Sequence, residues 1–495
     1  MSLTAREMDI LLMTPPCGLE ERYGVLSGAG NCTPGLGILI LAAVARERGY
    51  RVAVLDASAE NLSVQESFNR VKVFRPRIVG LSATTLSIIS AEQFAEVLKR
   101  QWSDLVTVVG GPHVTAIPEE TLDRCSHLDI AVLGEGERTI VDLLGVLTGG
   151  RDLAAVRGIA YRDSNGRVVR TTSRDGVTDL DALPFPAWDL LPGFPKAYNP
   201  PYFKVRCLPS TSLVTSRGCP YECKFCDTSV FGTRVRGHSA EYILDMLRCL
   251  AVDYGIRDVT FEDDTFMLLP QRLQAVCEAL IRSDLRLSWA CNSRVDLVKP
   301  ELLDLMRRAG CWYIGFGIES GSQEILDQVG KQVTLKQIED AVAGARRAGI
   351  RAKGFFIVGH PCETFETLEQ TRRFMRSLTL SDVSVMCMTP FPGSPLSREA
   401  TQYGTVNNDW ASMNLIEPVF VPHGLTREDL CVWQSRLFRE FYGQPRIWVD
   451  YAGRVLRRPS PRYIWGAARS ALALWRSGKS ARARANRIPA SPKRD

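Results

Sequence analysis

No run of apolar residues in the sequence is long enough to cross a bilayer, which argues against a helical membrane span. The stretch from Met1 to Asp9 lacks a basic end followed by an apolar segment and a cleavage site. Nothing in it points to an oxidising compartment, so cytoplasm is the expected location. There is no internal repeat, and no basic stripe with interleaved aromatics, so no nucleic-acid partner is expected from the body of the chain. The Gly-x-Gly-x-x-Gly pattern of dinucleotide sites is also absent between the first strand and helix.

What is present is a chain of 495 residues, 45% hydrophobic and 23% charged, a soluble-protein composition too long for one core. Length alone predicts roughly three domains. The formal charge of +6 is concentrated at the end: from Tyr451 onward twelve Lys or Arg stand against Asp495 alone, leaving −5 on the rest. With fourteen cysteines and a reducing compartment expected, most thiols should be buried small hydrophobes rather than disulfides.

Residues 1–150 alternate strand-like and helix-like segments, with strands over 10–14, 52–56, 78–82, 106–109 and 130–133 and a first helix over 35–48. This predicts a doubly wound, Rossmann-like α/β domain, whose ligands bind beyond the carboxyl ends of the strands. Thr14, Ser82, Thr84, the run Gly110-Gly111-Pro112-His113 and the run Gly134-Glu135-Gly136-Glu137 fall there. Residues 151–205 carry short strands over 158–162 and 167–171, then a proline-rich passage that reads as a linker. A second alternating set covers 206–400, with strands over 212–216, 258–262, 286–292, 313–319, 354–358 and 383–389 and helices such as 240–252 and 335–348. Six strand–helix units predict a partial (β/α)6 barrel with its active site at the carboxyl ends of the strands. Residues 401–495 read as a helical region ending in the basic tail.

The segment Gly218-Cys219-Pro220-Tyr221-Glu222-Cys223-Lys224-Phe225-Cys226 follows the first strand of the second set and spaces three thiols as Cys-x3-Cys-x2-Cys. Thiolates suit iron–sulfur clusters, and three ligands to a [4Fe–4S] cluster leave one iron open to an exogenous molecule. A structural zinc site would need a fourth ligand, and no nearby Cys or His pair completes one. Cys291, Cys311, Cys362 and Cys387 have no short Cys-x2-Cys interval and read as core rather than a second cluster.

On these residues the sequence resembles the radical S-adenosylmethionine (SAM) superfamily. The resemblance extends through the runs 261–266, 292–296 and 315–320, within residues 205–400. It implies that the open iron chelates the amino and carboxylate groups of SAM, that reduction yields a 5′-deoxyadenosyl radical, and that Phe225 lies beside the adenine. Arg294 would then hold the carboxylate bidentately, or else pair with Asp296 as a structural ion pair. Glu319 or Glu262 would accept from the ammonium or ribose hydroxyls, and Gly315 and Gly317 would let the backbone approach the adenosyl group. The turn 359–364 resembles the family's Gly-Leu-Pro-Gly-Glu-Thr, with His360 and Cys362 in place of Leu and Gly.

A doubly wound domain ahead of such a barrel resembles the cobalamin-binding subgroup, whose Gly-Gly-Pro-His segment is similar to Gly110, Gly111, Pro112 and His113; Gly134, Glu135 and Gly136 are similar too. Thr14, Ser82 and Thr84 complete the strand ends expected to meet the corrin. The Asp-x-His-x-x-Gly pattern that supplies a histidine to cobalt is absent, so water or an apolar side chain is expected below the corrin.

The resemblance implies a radical C-methyltransferase acting on an unactivated carbon of a small molecule, natural product or lipid, with flavodoxin or ferredoxin as electron donor. A cyclase like the anaerobic magnesium-protoporphyrin ester cyclase is the alternative, and a cofactor-binding sensor or maturation partner a third. In the tail, Arg462, Arg469 and Arg476 recur every seventh residue among Tyr463, Trp465 and Trp475. This helix would lie on an anionic membrane surface or pack on the barrel.

Overall fold

The computed structural model describes residues 8–457 apart from 25–26, 28–29, 31, 151, 199 and 201–204, so the tail helix expected over 462–476 lies outside the described residues. The first sheet contains β1 (Met8–Thr14), β2 (Val52–Asp56), β3 (Pro76–Ser82), β4 (Val106–Gly110), β5 (Ile130–Val132), β6 (Ile159–Arg162) and β7 (Val168–Arg170). Their spatial order is β2-β1-β3-β4-β5-β6-β7. The first five pair in parallel and the last two join antiparallel.

A parallel sheet needs cover on both faces, and β1 shows how the sequence meets that need. Ile10 and Leu12 enter one core with the helices Leu36–Glu47 and Glu137–Gly149. Leu11 and Met13 enter the other with the helix Ile88–Gln101. The strand order turns back between β1 and β3, which opens the ligand crevice of such sheets at their carboxyl ends. The short strands expected over 158–162 and 167–171 form as β6 and β7 and extend this sheet, because β6 finds backbone partners on the edge of β5.

The second sheet begins at β8 (Ser210–Leu213), followed by a short antiparallel ribbon of β9 (Ser216–Arg217) and β10 (Arg236–Gly237). The strands β11 (Asp258–Phe261), β12 (Ser288–Ser293), β13 (Cys311–Glu319), β14 (Arg351–Val358) and β15 (Asp382–Cys387) follow. They run in the order β15-β14-β13-β12-β11-β8, all parallel, as an open half-barrel. The expected strand over 212–216 stops at Leu213. Asp263, just past β11, takes hydrogen bonds from the Thr215 amide (2.5 Å), the Thr215 hydroxyl (2.7 Å) and the Ser216 hydroxyl (2.6 Å), drawing the chain out of the sheet.

Beyond the barrel, β16 (Gly404–Val406) and β17 (Phe420–Pro422) form a hairpin, and the helix Arg427–Tyr442 packs on β15. The intervening loop crosses to the first domain, where Trp410, Met413 and Val419 join its core. Trp410 lies between the His113 ring, with centroids 4.4 Å apart, and the Arg124 guanidinium, 3.7 Å from its own ring. This strap was not expected from a region read as helical.

Candidate cluster and cofactor site

The loop carrying the three thiols starts at the end of the β9–β10 ribbon. Gly218 has φ +88 and passes so close to the Arg234 carbonyl that a Cβ would collide with it. The Cys219 amide donates to Gly232 O at 3.3 Å, Cys226 to Cys223 O at 3.0 Å and Lys224 to Val329 O at 3.0 Å, while Leu396 donates to Lys224 O at 2.8 Å. Cys223 is buried, Cys219 is half-buried and Cys226 is exposed. Among the described residues no three candidate ligands converge as they would on a single ion. Cysteines serving separate irons of one cluster need no such convergence.

Cations back this loop. Lys331, 5% exposed, donates to Glu319 at 2.7 Å. Its Nζ lies 5.9 Å from the centre of the Phe225 ring. Arg294 donates from Nη1 to Cys223 Sγ at 3.8 Å and lies 3.6 Å over the Tyr221 ring. A hydrogen bond from Cys226, with Lys331 and Arg294 nearby, draws the Cys223 thiol below the usual thiol range. A low-lying thiolate is the form that ligates iron.

The structure redistributes the expected SAM contacts. Arg294 is already engaged: Nε and Nη2 donate to Asp296 at 2.9 and 3.3 Å, and Nη2 donates to Lys331 O at 2.7 Å. Of the two readings of Arg294, the ion pair is the one observed, because the short turn over Val295–Leu297 directly after β12 sets Asp296 two residues along the chain. Gly315 and Gly317 do not open space toward a ligand. A Cβ on Gly315 would strike Asn292 Oδ1 and the Phe355 ring, and one on Gly317 would meet Glu319 Oε1 at 2.5 Å and Lys331 Nζ at 2.8 Å. They make room for this chain's own side chains. Glu262 is exposed and accepts from Asn292 Nδ2 at 3.1 Å. Glu319 has φ +65 beside an irregularity in the β13–β14 register, a strained arrangement of the kind held at functional sites. Lys331 follows a short helix rather than a strand, so a reading confined to strand ends passes over it.

The turn after β14 is polar and closed. His360 is buried, reaches Glu319 O from Nε2 at 3.4 Å and leaves Nδ1 unpartnered. Burial lowers its pKa to about 4. Glu363, also buried, accepts the Gly359 and His360 amides, and burial raises its carboxyl to about 8. Cys362 stands exposed at φ +62, the conformation that explains glycine at this point of the motif it resembles.

In the first domain, Thr14 donates to Asp56 at 2.8 Å, and Asp56 also receives the Gly35 amide at 2.7 Å. Ser82 closes β3 and Thr84 caps the turn after it with Ser87. Gly110 and Gly111 lie at the end of β4. Gly111 has φ +110 and no room for a Cβ beside Ala83, so only glycine fits. Pro112 is exposed at the start of the following helix. Three expected corrin contacts serve other ends. His113 is buried with Nδ1 on Thr85 Oγ1 at 3.1 Å and its ring edge on Trp410. Gly136 allows close packing on Leu41, which a Cβ would meet at 3.1 Å. The Glu135 carboxylate accepts from Arg217 and Arg236, both at 2.6 Å. Thr14, Thr84, Gly110, Gly111 and Gly134 remain along the crevice edge. That edge adjoins the thiol loop: a Cβ on Gly393 would strike Asp227 and lie 3.0 Å from Ala116 Cβ.

The family model described as the Radical SAM superfamily matches residues 213–375, and that of the B12 binding domain matches residues 24–144. An uncharacterized methyltransferase of Pyrococcus horikoshii is 34% identical over 91% of this chain and 97% of its own length. The anaerobic magnesium-protoporphyrin IX monomethyl ester cyclase of Rubrivivax gelatinosus is 31% identical over 84% of this chain and 74% of its own. The chain belongs to the cobalamin-binding radical SAM family. The solved cobalamin-dependent radical SAM enzyme OxsB shares its fold, with a TM-score of 0.72 at 20% identity over 88% of this chain and 67% of that one.

This radical SAM protein is an enzyme whose cofactors are a [4Fe–4S] cluster, SAM and cobalamin, and the residues present fit them. Three thiols on one anchored loop with cations behind them suit an anionic cluster, and the Gly110–Gly111 edge suits the close approach of a corrin. Enzymes of this family take a reductant and a small-molecule substrate. No described helix is long and apolar enough to cross a membrane.

Proposed function

We propose that this radical SAM enzyme is a C-methyltransferase acting on an unactivated carbon of a small-molecule, natural-product or lipid substrate. When bound, the cluster with SAM supplies a 5′-deoxyadenosyl radical and cobalamin supplies the methyl group. Cys219, Cys223 and Cys226 hold the cluster. The Glu319–Lys331 pair and Phe225 line the adenosyl side, and exposed Glu262 receives a donor of the cofactor or substrate. Arg294, fixed by Asp296, orients Cys223 from behind. Thr14, Thr84, Gly110, Gly111 and Gly134 meet the corrin.

On this reading residues 1–150 carry cobalamin, 151–205 add two strands to that sheet and then connect, and 206–400 carry the radical chemistry, while the described residues after 400 pack on both parts. A flavodoxin or ferredoxin supplies electrons. The observation that carries the reading is the contact of the two crevices at Gly393, between Asp227 of the thiol loop and Ala116 of the Gly-Gly-Pro-His helix. A substrate between them faces both cofactors, and enclosure there excludes water. The name of the Pyrococcus horikoshii relative points the same way.

The test is turnover with methyl-labelled SAM in the reconstituted enzyme. Label in the product together with 5′-deoxyadenosine is the expected result. Deoxyadenosine with an unlabelled, cyclised or rearranged product overturns methyl transfer and favours a cyclase-type reaction, which the Rubrivivax gelatinosus relative is named for.

A further inference from the structure

The Gly134-Glu135-Gly136-Glu137 run sits at the end of β5, where a corrin contact was expected, yet its two carboxylates turn away into the barrel. Arg217 Nη1 meets Glu135 at 2.6 Å and Nη2 meets Glu137 at 2.6 Å, while Arg236 Nη2 meets the other oxygen of Glu135 at 2.6 Å. All four side chains are more than nine-tenths buried. Arg217 and Arg236 face each other directly across the β9–β10 ribbon. Like charges so placed repel, and the ribbon is stable there because Glu135 bridges the two guanidiniums.

The network lies between the two cofactor sites in a chain of close contacts. On the barrel side, Arg217 is two residues before Cys219, separated from it only by the tightly packed Gly218. On the other side, the Gly134 amide donates to Thr115 Oγ1 at 3.0 Å, and Thr115 Oγ1 donates to Gly111 O at 2.8 Å. Gly111 is the glycine at the corrin edge. A continuous route of bonds and buried ion pairs thus runs from Gly111 through Thr115, Gly134, Glu135 and Arg217 to Cys219.

We propose that Glu135, Glu137, Arg217 and Arg236 are positioning residues that clamp the cluster loop to the cobalamin domain and so set the distance and orientation between cluster and corrin. None touches the reacting atoms. Two positive and two negative charges cancel, so the clamp is neutral as a unit and removal of one partner leaves a buried charge uncompensated. Its consequence for catalysis rests on the methyl-transfer reading; its consequence for geometry does not.

The test uses the full-length protein loaded with both cofactors. The dipolar coupling between the one-electron-reduced, paramagnetic forms of cluster and cobalamin is measured by pulsed electron paramagnetic resonance, beside 5′-deoxyadenosine and methylated product. In E135Q, which keeps the side-chain shape, the coupling distribution should broaden or shift. Product per deoxyadenosine should fall on the order of 100-fold, the scale of a 1 Å misplacement, with iron and cobalamin content unchanged. E137Q should do the same more weakly, since Arg217 keeps Glu135.

The double variant E135Q/R236M restores charge balance and should recover part of the coupling, even if E135Q alone folds poorly. Wild-type coupling and product ratio in E135Q, E137Q and the double variant, all with both cofactors bound, would overturn the clamp. A wild-type enzyme that forms deoxyadenosine without methylated product overturns methyl transfer and leaves the clamp to the spin measurement.

Discussion

The two large sheets of this protein build their sites by opposite means. The barrel presents side chains: three thiols, the Glu319–Lys331 ion pair and an arginine stacked on Tyr221. The first domain presents backbone and small groups, namely Thr84, Gly110, Gly111 and Gly134, and sends its charged and aromatic motif residues elsewhere. His113 packs under the strap at Trp410, and Glu135 and Glu137 pair with Arg217. A cluster needs particular ligand atoms, whereas a flat corrin needs room and backbone approach. Motif resemblance therefore points to both regions, while individual roles shift in each: Arg294 pairs with Asp296 in the barrel, as His113 packs on Trp410 in the first domain.

That contrast can be broken most completely at the thiol loop. Cys223→Ala should abolish cluster assembly while the first domain still retains cobalamin, as read from iron content and from the corrin absorbance of the reconstituted protein. Loss of both cofactors would show that the two sites do not assemble separately.

The next effect falls on the first domain. Trp410→Ala empties the space between His113 and Arg124 and should cost about 3–5 kcal/mol in that domain, seen as an early urea transition and weakened cobalamin retention. A single unchanged transition would mean the strap contributes little to it.

Protons separate the sheets further. His113 and His360 are buried neutral, each with its pKa pushed down to about 4. The unfolded chain protonates first, so their contribution is complete above about 6.5 and is lost as pH falls from 6.5 toward 4. Glu363 is buried and protonated, its pKa raised to about 8. Its contribution is complete below about 4.5 and is lost as pH rises from 4.5 to 8. The acid arm thus weakens both sheets, by about 3 kcal/mol for each histidine, and the alkaline arm weakens the barrel by about 5 kcal/mol. Urea unfolding across this range should show both arms, and Glu363→Gln should flatten the alkaline one.

The smallest change sharpens the comparison at a turn. Cys362→Gly relieves a left-handed backbone in the barrel and should raise stability by about 1 kcal/mol, measured as a higher urea midpoint with an unchanged slope and an unchanged first domain.

Legibility followed the range of each interaction. The alternation of buried strands and helices, the thiol spacing and the domain order are local patterns, and β1 to β5 and β11 to β15 fall where periodicity puts them, within a few residues. The strand expected over 212–216 is present but ends at Leu213, because Asp263, about fifty residues on, captures Thr215 and Ser216. The short strands expected over 158–162 and 167–171 are present, but their place on the edge of the first sheet was not legible, because an antiparallel edge strand shows only in its partner. Lys331 and Trp410 carry no local signal at all.

The sequence by itself determined that three thiols stand on one short loop with the spacing suited to a cluster, and resemblance to the cobalamin-binding subgroup pointed to the small-residue sheet edge for a corrin. Ligand chemistry and backbone sterics are written within a few residues. Only the tertiary structure decided which charges serve a cofactor and which serve the protein. Arg294, Glu135, His113, Gly315 and Gly317 are defined by partners from other segments, and the net contribution of a buried charge depends on the groups it meets once water is removed.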